Sequence, residues 1–274
     1  MEGHLEDSIN LQRETLSIQR RVLGPEHIDT LRTMGRLAAA LAYAGRPSEA
    51  EPLQRELLAI DRRVLGPEHP QTLILTTSLV GTLFMEGGES RYREAENLGR
   101  ENLEAERRVF GPEHQNTLSE LGHLGAVLGD EGKYEESEQI LRQGLAIENR
   151  VFGPEHPDTL DLRNFLGLDL MREHRYQEAD QLFRENRVVL RHTLGPDHPK
   201  TAEATYNLGC LAAMQGKTGE ALSLLRDAVD HGMRPDTAMN IEEDPDLTSL
   251  KNKPGFAELV AYAKARATSS QPKR

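Results

Sequence analysis

One eight-residue phrase recurs five times and limits what this chain can fold into more than any other feature. It reads Leu23-Gly24-Pro25-Glu26-His27-Ile28-Asp29-Thr30 first and Leu65-Gly66-Pro67-Glu68-His69-Pro70-Gln71-Thr72 second. Residues 110–117, 152–159 and 194–201 repeat it. Its glycines, Gly24, Gly66, Gly111, Gly153 and Gly195, stand 42, 45, 42 and 42 residues apart. Self-similarity at that period marks stacked repeats, because one unit buries its apolar face only against its neighbours.

Each unit follows one plan. A threonine (Thr30, Thr72, Thr117, Thr159, Thr201) closes the phrase, and a first helix begins around it. Asp29, Asn116, Asp158 and the threonines are all side chains able to cap free amides, and the spacing does not choose between the neighbours. The first helix carries Leu37, Leu79, Leu124, Leu166 and Leu208 at one register, each followed by Ala38, Val80, Gly125, Gly167 or Gly209. After a short turn the second helix opens with Glu49-Ala50-Glu51 and its counterparts. Acidic side chains there favour the positive end of the helix dipole, and the small central residue lets two helices approach. A short turn between helices makes them antiparallel neighbours.

The 45-residue interval places three extra residues in Gly87-Gly88-Glu89-Ser90-Arg91-Tyr92, expected to bulge as a surface loop. The segment before Gly24 matches a second helix: Ser8 lies 16 residues before Gly24, as Ala50 does before Gly66. Its first helix is missing, so the chain is expected to be the C-terminal part of something longer; failing that, the helix frays or pairs with a second chain. After His231-Gly232 the phrase does not return, and Phe256, Leu259, Val260 and Tyr262 mark a closing amphipathic stretch. Repeat arrays need such a cap over the last apolar face. The expected organisation is therefore residues 1–24 as the second helix of an incomplete repeat and 25–232 as five helix pairs. Residues 233–267 follow as capping helices, and 268–274 as a disordered tail.

Charge and cysteine content narrow the function classes. A formal net charge of −12 disfavours nucleic acid as a partner. A lone cysteine, Cys210, rules out an internal disulfide framework and suits a reducing, cytoplasmic setting. No stretch approaches the ~20 apolar residues of a membrane span.

The leucine and small-residue registers, the Glu-Ala-Glu opening and the Gly-Pro-Glu-His-Pro-Asp-Thr loop resemble the 42-residue tetratricopeptide repeats of the kinesin light chain type, over residues 5 to about 230. The resemblance implies an all-α, right-handed superhelical solenoid of antiparallel helix pairs. It also implies a concave groove, lined by the first helices, that binds peptide segments of partner proteins. Carried onto this sequence, the lining comprises Arg32, Arg36, Thr77, His123, Asn164, Tyr206 and Asn207. No heptad segment for heavy-chain binding is present, so the fold carries over and the motor role does not. The Lys/Asn set that clamps acidic chaperone tails is not evident either. The closing segment, with Asp244-Pro245-Asp246-Leu247 and Pro254-Gly255-Phe256, is similar to that of repeat arrays following bacterial Ser/Thr kinase domains.

The five loop histidines invite a metal or catalytic reading, which the repeat spacing opposes. Equivalent positions in stacked units lie on the order of 10 Å apart, whereas zinc ligands converge to ~2.0–2.1 Å of one ion. They are read as capping or loop-bonding groups. Cys210 has no identifiable base and takes the place of Ala39, Gly81, Ala126 and Leu168, so it is read as a small core residue. Gly216-Lys217-Thr218 lacks the upstream glycine and strand of a phosphate loop. The expectation is a non-enzymatic interaction scaffold with a protein or peptide partner, without cofactor or metal, and with self-association through the exposed N-terminal helix. The alternative is the regulatory region of a larger signalling protein such as a bacterial Ser/Thr protein kinase.

Overall fold

The computed structural model describes residues 2–269. Among them helices alternate with short turns, and there is no strand. The first helices of the units are α2 (Ile28–Tyr43), α4 (Pro70–Glu86), α6 (Gln115–Asp130), α8 (Pro157–Arg172) and α10 (Pro199–Met214). The second helices are α1 (Glu2–Val22), α3 (Pro47–Val64), α5 (Glu89–Val109), α7 (Tyr134–Val151), α9 (Tyr176–Thr193) and α11 (Thr218–Asp230). α12 (Pro235–Asn240), a 3-10 turn (Pro245–Leu250) and α13 (Phe256–Ser269) close the chain. Two compact units result, Met1–Ile147 and Glu148–Arg274, dividing inside α7.

Every polar position of the recurring phrase has a bonding task. The last turn of α1 ends on Gln19 O, which accepts from Leu23 N (2.8 Å) and Gly24 N (3.2 Å). Gly24 sits at φ +97°, a left-handed conformation that side chains resist. Thr30 Oγ1 then donates to Gly24 O at 2.8 Å, and the other four threonines repeat the bond at 2.8–3.0 Å. The helix start is capped by the loop histidine, one of the capping or loop-bonding groups expected, and not by the Asp, Asn or Thr beside it. His27 Nδ1 accepts from Asp29 N at 3.2 Å, and His69, His114, His156 and His198 cap in the same way. The threonine does not cap because it already lies within the helix, three residues past the histidine. In unit 1 the phrase's acid ties the start of a helix pair to the end of that pair's second helix, through Arg63–Glu26 (2.6 Å) and Arg108–Glu68 (2.7 Å).

Within a helix pair, size is exchanged across one contact. In unit 1, Val80 of α4 faces Gly99 of α5, where a Cβ would lie 3.6 Å from the valine. One repeat on, the small residue has moved to the first helix, and a Cβ at Gly125 would meet Leu141 at 2.5 Å. In unit 2, Gly167 accommodates Phe183 (2.6 Å) and Gly209 accommodates Leu225 (2.8 Å). Close-packed interiors tolerate either order but not two large residues. The small residues of the second-helix openings, Ala50, Ala95, Ala179 and Ala221, are all fully buried.

The three-residue insertion is not a bulged loop. It lengthens α5 to 21 residues against 18 in α3, and only Gly87-Gly88 separates α5 from α4. Glycines at φ +69° and +92° turn the chain at once, and Arg91 then pairs with Glu51 (2.5 Å) and Glu86 (3.0 Å). A helical extension with ionic partners satisfies backbone groups that a loop would leave to water.

In unit 2 the closing segment packs back on the last pair. Ser249 Oγ donates to Ala213 O (2.7 Å), and Tyr262 OH donates to Asp230 (2.5 Å) beneath the Arg226 guanidinium. Phe256, Leu259, Val260, Ala263 and Ala267 bury the apolar stripe of α13. This helix continues through Ser269, two residues into the expected tail; residues 270–274 lie outside the described residues.

Candidate functional site

In unit 1 the exposed face of the first helices combines cationic and apolar side chains. Arg32 and Arg36 are exposed on α2, and Ile74 and Ser78 occupy the same registers on α4. One further turn and more along, Tyr43 is 86% exposed and its counterpart Met85 is 48% exposed. Arg32 is held by Asp29 at 3.1 Å, whereas Arg36 makes no hydrogen bond or ion pair among the described residues. The only charged residue of α4 is Glu86, at its last position. His123 belongs to the same face, half-buried, with its ring against Gly81 of α4 (3.1 Å to a Cβ placed there).

Thr77 does not line that face. It is buried, and its Oγ1 lies 2.9 Å from Glu106 Oε1 and accepts from Asn102 Nδ2 at 2.9 Å. The same Asn102 amide donates to Glu120 Oε2 (2.9 Å) and Leu73 O (3.2 Å). Glu106 and Glu120 are both fully buried, and Gly99 makes room for the second carboxyl. Burial pushes Glu106 up to about 7. Burial and then the neighbouring Glu106 push Glu120 up to about 8. The family resemblance put Thr77 in the lining, but its hydroxyl is drawn inward into this polar cluster.

In unit 2, Asn164 of α8 and Asn207 of α10 meet directly, Asn207 Nδ2 donating to Asn164 Oδ1 at 2.8 Å. Asn164 is half-buried and donates on to Glu203 (3.3 Å), while Asn207 keeps only 8% of its surface exposed. Tyr206 is also displaced from the expected lining. Its hydroxyl donates to Asp244 Oδ2 at 2.5 Å, and the closing segment leaves it 9% exposed. Cys210, Asp244 and Asp246 bring ligand-type atoms within 4.8 Å of one another. Both Asp244 oxygens are committed there, Oδ2 to Tyr206 and Oδ1 to the amide of Asp246 (2.8 Å), which starts the 3-10 turn. Burial drives the Cys210 thiol well up, the opposite of an activated nucleophile.

The second helices carry a feature that the repeat pattern held and the sequence reading missed. Arg13, Arg55, Arg100, Arg142, Arg184 and Arg226 share one register. In unit 1 Arg13 pairs with Glu49, Arg55 with Glu94 (2.7 Å) and Arg100 with Glu136 (2.6 Å); in unit 2 Arg184 pairs with Glu220 (3.1 Å). The acidic openings thus bind the preceding repeat as well as the helix dipole. The signal was an arginine and a glutamate each recurring at the repeat period.

This construction, helix pairs of fixed size joined by a bonded phrase, defines a helical repeat protein of the kind that serves as an interaction scaffold. The family model for tetratricopeptide repeats matches residues 2–63, 84–147, 118–185 and 158–231, and the chain belongs to that family. No curated protein sequence matches it. Among solved structures it is similar to a kinesin light chain-like protein of Podospora anserina with nearly identical repeats. That pair shares 25% identity over 74% of this chain and 95% of the other, with a TM-score of 0.57. It is also similar in fold to BtubC of P. vanneervenii, at 16% identity over 98% and 95% of the two chains and a TM-score of 0.52. The apo form of RapI aligns at 15% identity over 97% and 90%, with a TM-score of 0.65. Tetratricopeptide repeat proteins are generally non-enzymatic scaffolds, and no catalytic family is indicated. Among the described residues no helix is long and apolar enough to cross a membrane.

Proposed function

We propose that the chain binds a segment of another protein on the α2/α4 face of unit 1, and that the segment carries acidic and aliphatic side chains. The observation that carries this reading is Arg36, an exposed guanidinium without a partner in a chain of net charge −12. Beside it, Ile74 and Met85 remain 44% and 48% exposed on a helix nearly free of charge. A cation beside apolar surface selects an amphipathic segment of opposite charge. His123 borders the same face.

Selection of random peptides displayed on phage tests this directly. Enriched peptides should carry Asp or Glu beside an aliphatic residue, and Arg32→Glu/Arg36→Glu should weaken them at least tenfold without lowering Tm. Binders indifferent to that double change would refute the assignment of the face. A second reading makes these residues a regulatory region of a larger signalling protein such as a bacterial Ser/Thr protein kinase, supported by the resemblance of the closing segment. An immunoblot of source cells separates the two, since a band far above 30.7 kDa favours the larger protein. Self-association through α1 is supported by Leu11 and Ile18, which are 65% and 47% exposed while their counterparts Leu53 and Ile60 are half-buried. Sedimentation equilibrium measures it.

A further inference from the structure

The two buried acids of unit 1 have no cation to balance them. Glu106 and Glu120 lie among α4, α5 and α6 with no exposed surface, and the groups that act on them are Thr77, Asn102 and each other. The other titratable groups on these helices are engaged elsewhere or point away. On α4 Glu86 pairs with Arg91; on α5 Arg107 pairs with Glu104 and Arg108 with Glu68. On α6 the His123 ring lies against Gly81 on the exposed side, and Asp130 is exposed at the helix end.

Hydrogens are too few for two carboxylates. The Thr77 hydroxyl supplies one and the Asn102 amide two, and the Asn102 amide also serves Thr77 and Leu73 O. Glu106 Oε2 and Glu120 Oε1 remain buried without a donor. Buried anions in that position cost far more than a carboxylic acid, which brings its own donor. We propose that Glu106 and Glu120 together hold a proton that locks α4, α5 and α6 of unit 1, and that losing it as the solution turns alkaline loosens this trio of helices.

The sign follows from proton binding. The folded protein holds the proton more tightly than the unfolded chain, whose glutamates titrate near ~4.3. The lock is therefore complete in mild acid and is lost as pH rises through about 7 and about 8. The inference is independent of what the α2/α4 face binds, and it makes unit 1 responsive to pH at a point no surface residue reveals.

Urea denaturation at pH 6, 7, 8 and 9 tests it on the full chain, comparing wild type with Glu120→Gln and Glu106→Gln. Between pH 6 and 8 the wild-type folding constant should fall faster than that of Glu120→Gln, by up to about tenfold per pH unit. The amide cannot lose a proton, and taking the difference cancels other buried acids such as Glu148. Parallel profiles would overturn the proposal. Should Glu120→Gln fail to fold, Glu106→Gln carries the same comparison. Infrared spectra of protein labelled with carbon-13 glutamate give a second readout. A protonated-carboxyl band should be present at pH 6, bleached by pH 9 and reduced in either variant; no such band at pH 6 would also overturn the idea.

Discussion

Asn102 in unit 1 and Asn186 in unit 2 hold the same place in their second helices, and they keep different company. Each donates its amide to a first-helix carbonyl, Leu73 O at 3.2 Å and Leu160 O at 2.7 Å. In unit 1 the remaining partners are acids and a hydroxyl. In unit 2 Asn186 Oδ1 accepts from the buried guanidinium of Arg163 at 3.3 Å, and the counterpart of Glu106 is Leu190. Burial lowers the Arg163 pKa, but a guanidinium keeps its charge in a protein. Leu57, Gly144 and Ala228 fill this register in the other pairs, so the amide is a local choice, and the two units surround it with different charge. One choice yields a group that titrates near neutrality and the other a charge that does not.

Three substitutions sharpen or break this contrast. Asn186→Ala should have the largest effect, about 3 kcal/mol in urea denaturation, because it strands a buried carbonyl and a buried guanidinium together. That loss should be equal at pH 6 and pH 9; a pH-dependent loss would remove the distinction between the units. Asn102→Ala should cost about 2 kcal/mol at pH 9 and less at pH 6, since the protonated acid can satisfy itself. An equal cost at both values would mean the unit 1 acids are ionised throughout. Arg163→Met should be smallest, within about 1 kcal/mol of wild type, because a buried charge is often replaced by apolar volume without loss. A penalty above about 3 kcal/mol would instead make Arg163 a keystone of unit 2.

Much of the fold was legible because the repeat reports itself. Helix pairs, the small-residue registers and the turn at each Gly-Pro follow from a pattern stated five times, so accidents at single positions cancel. The exposed face of the first helices was legible only in part. Arg32, Arg36 and His123 stand where the register placed them, but Thr77 and Tyr206 are buried. For Thr77 the reason is a hydroxyl drawn into a polar cluster; for Tyr206 it is the closing segment laid over α10. Neither depends on neighbours close in sequence, which is why spacing could not foretell them. The loop histidines were recognised as capping or loop-bonding groups; the structure decided between them and the neighbouring Asp and Thr, which are commoner caps.

By itself the sequence determined the period, the helix pairs and the bonded phrase, because these arise from local contacts repeated along the chain. Tertiary structure alone decided which of the repeated positions differ in substance. It turned a three-residue insertion into helix by giving Arg91 two acids to hold. It joined the recurring arginines and glutamates of successive repeats into ion pairs. It brought together Thr77, Asn102, Glu106 and Glu120, which lie up to 43 residues apart in the chain and share one dry space. Side-chain chemistry is written in the sequence, but proton affinity depends on solvent and on neighbours, and those exist only once the helices have packed.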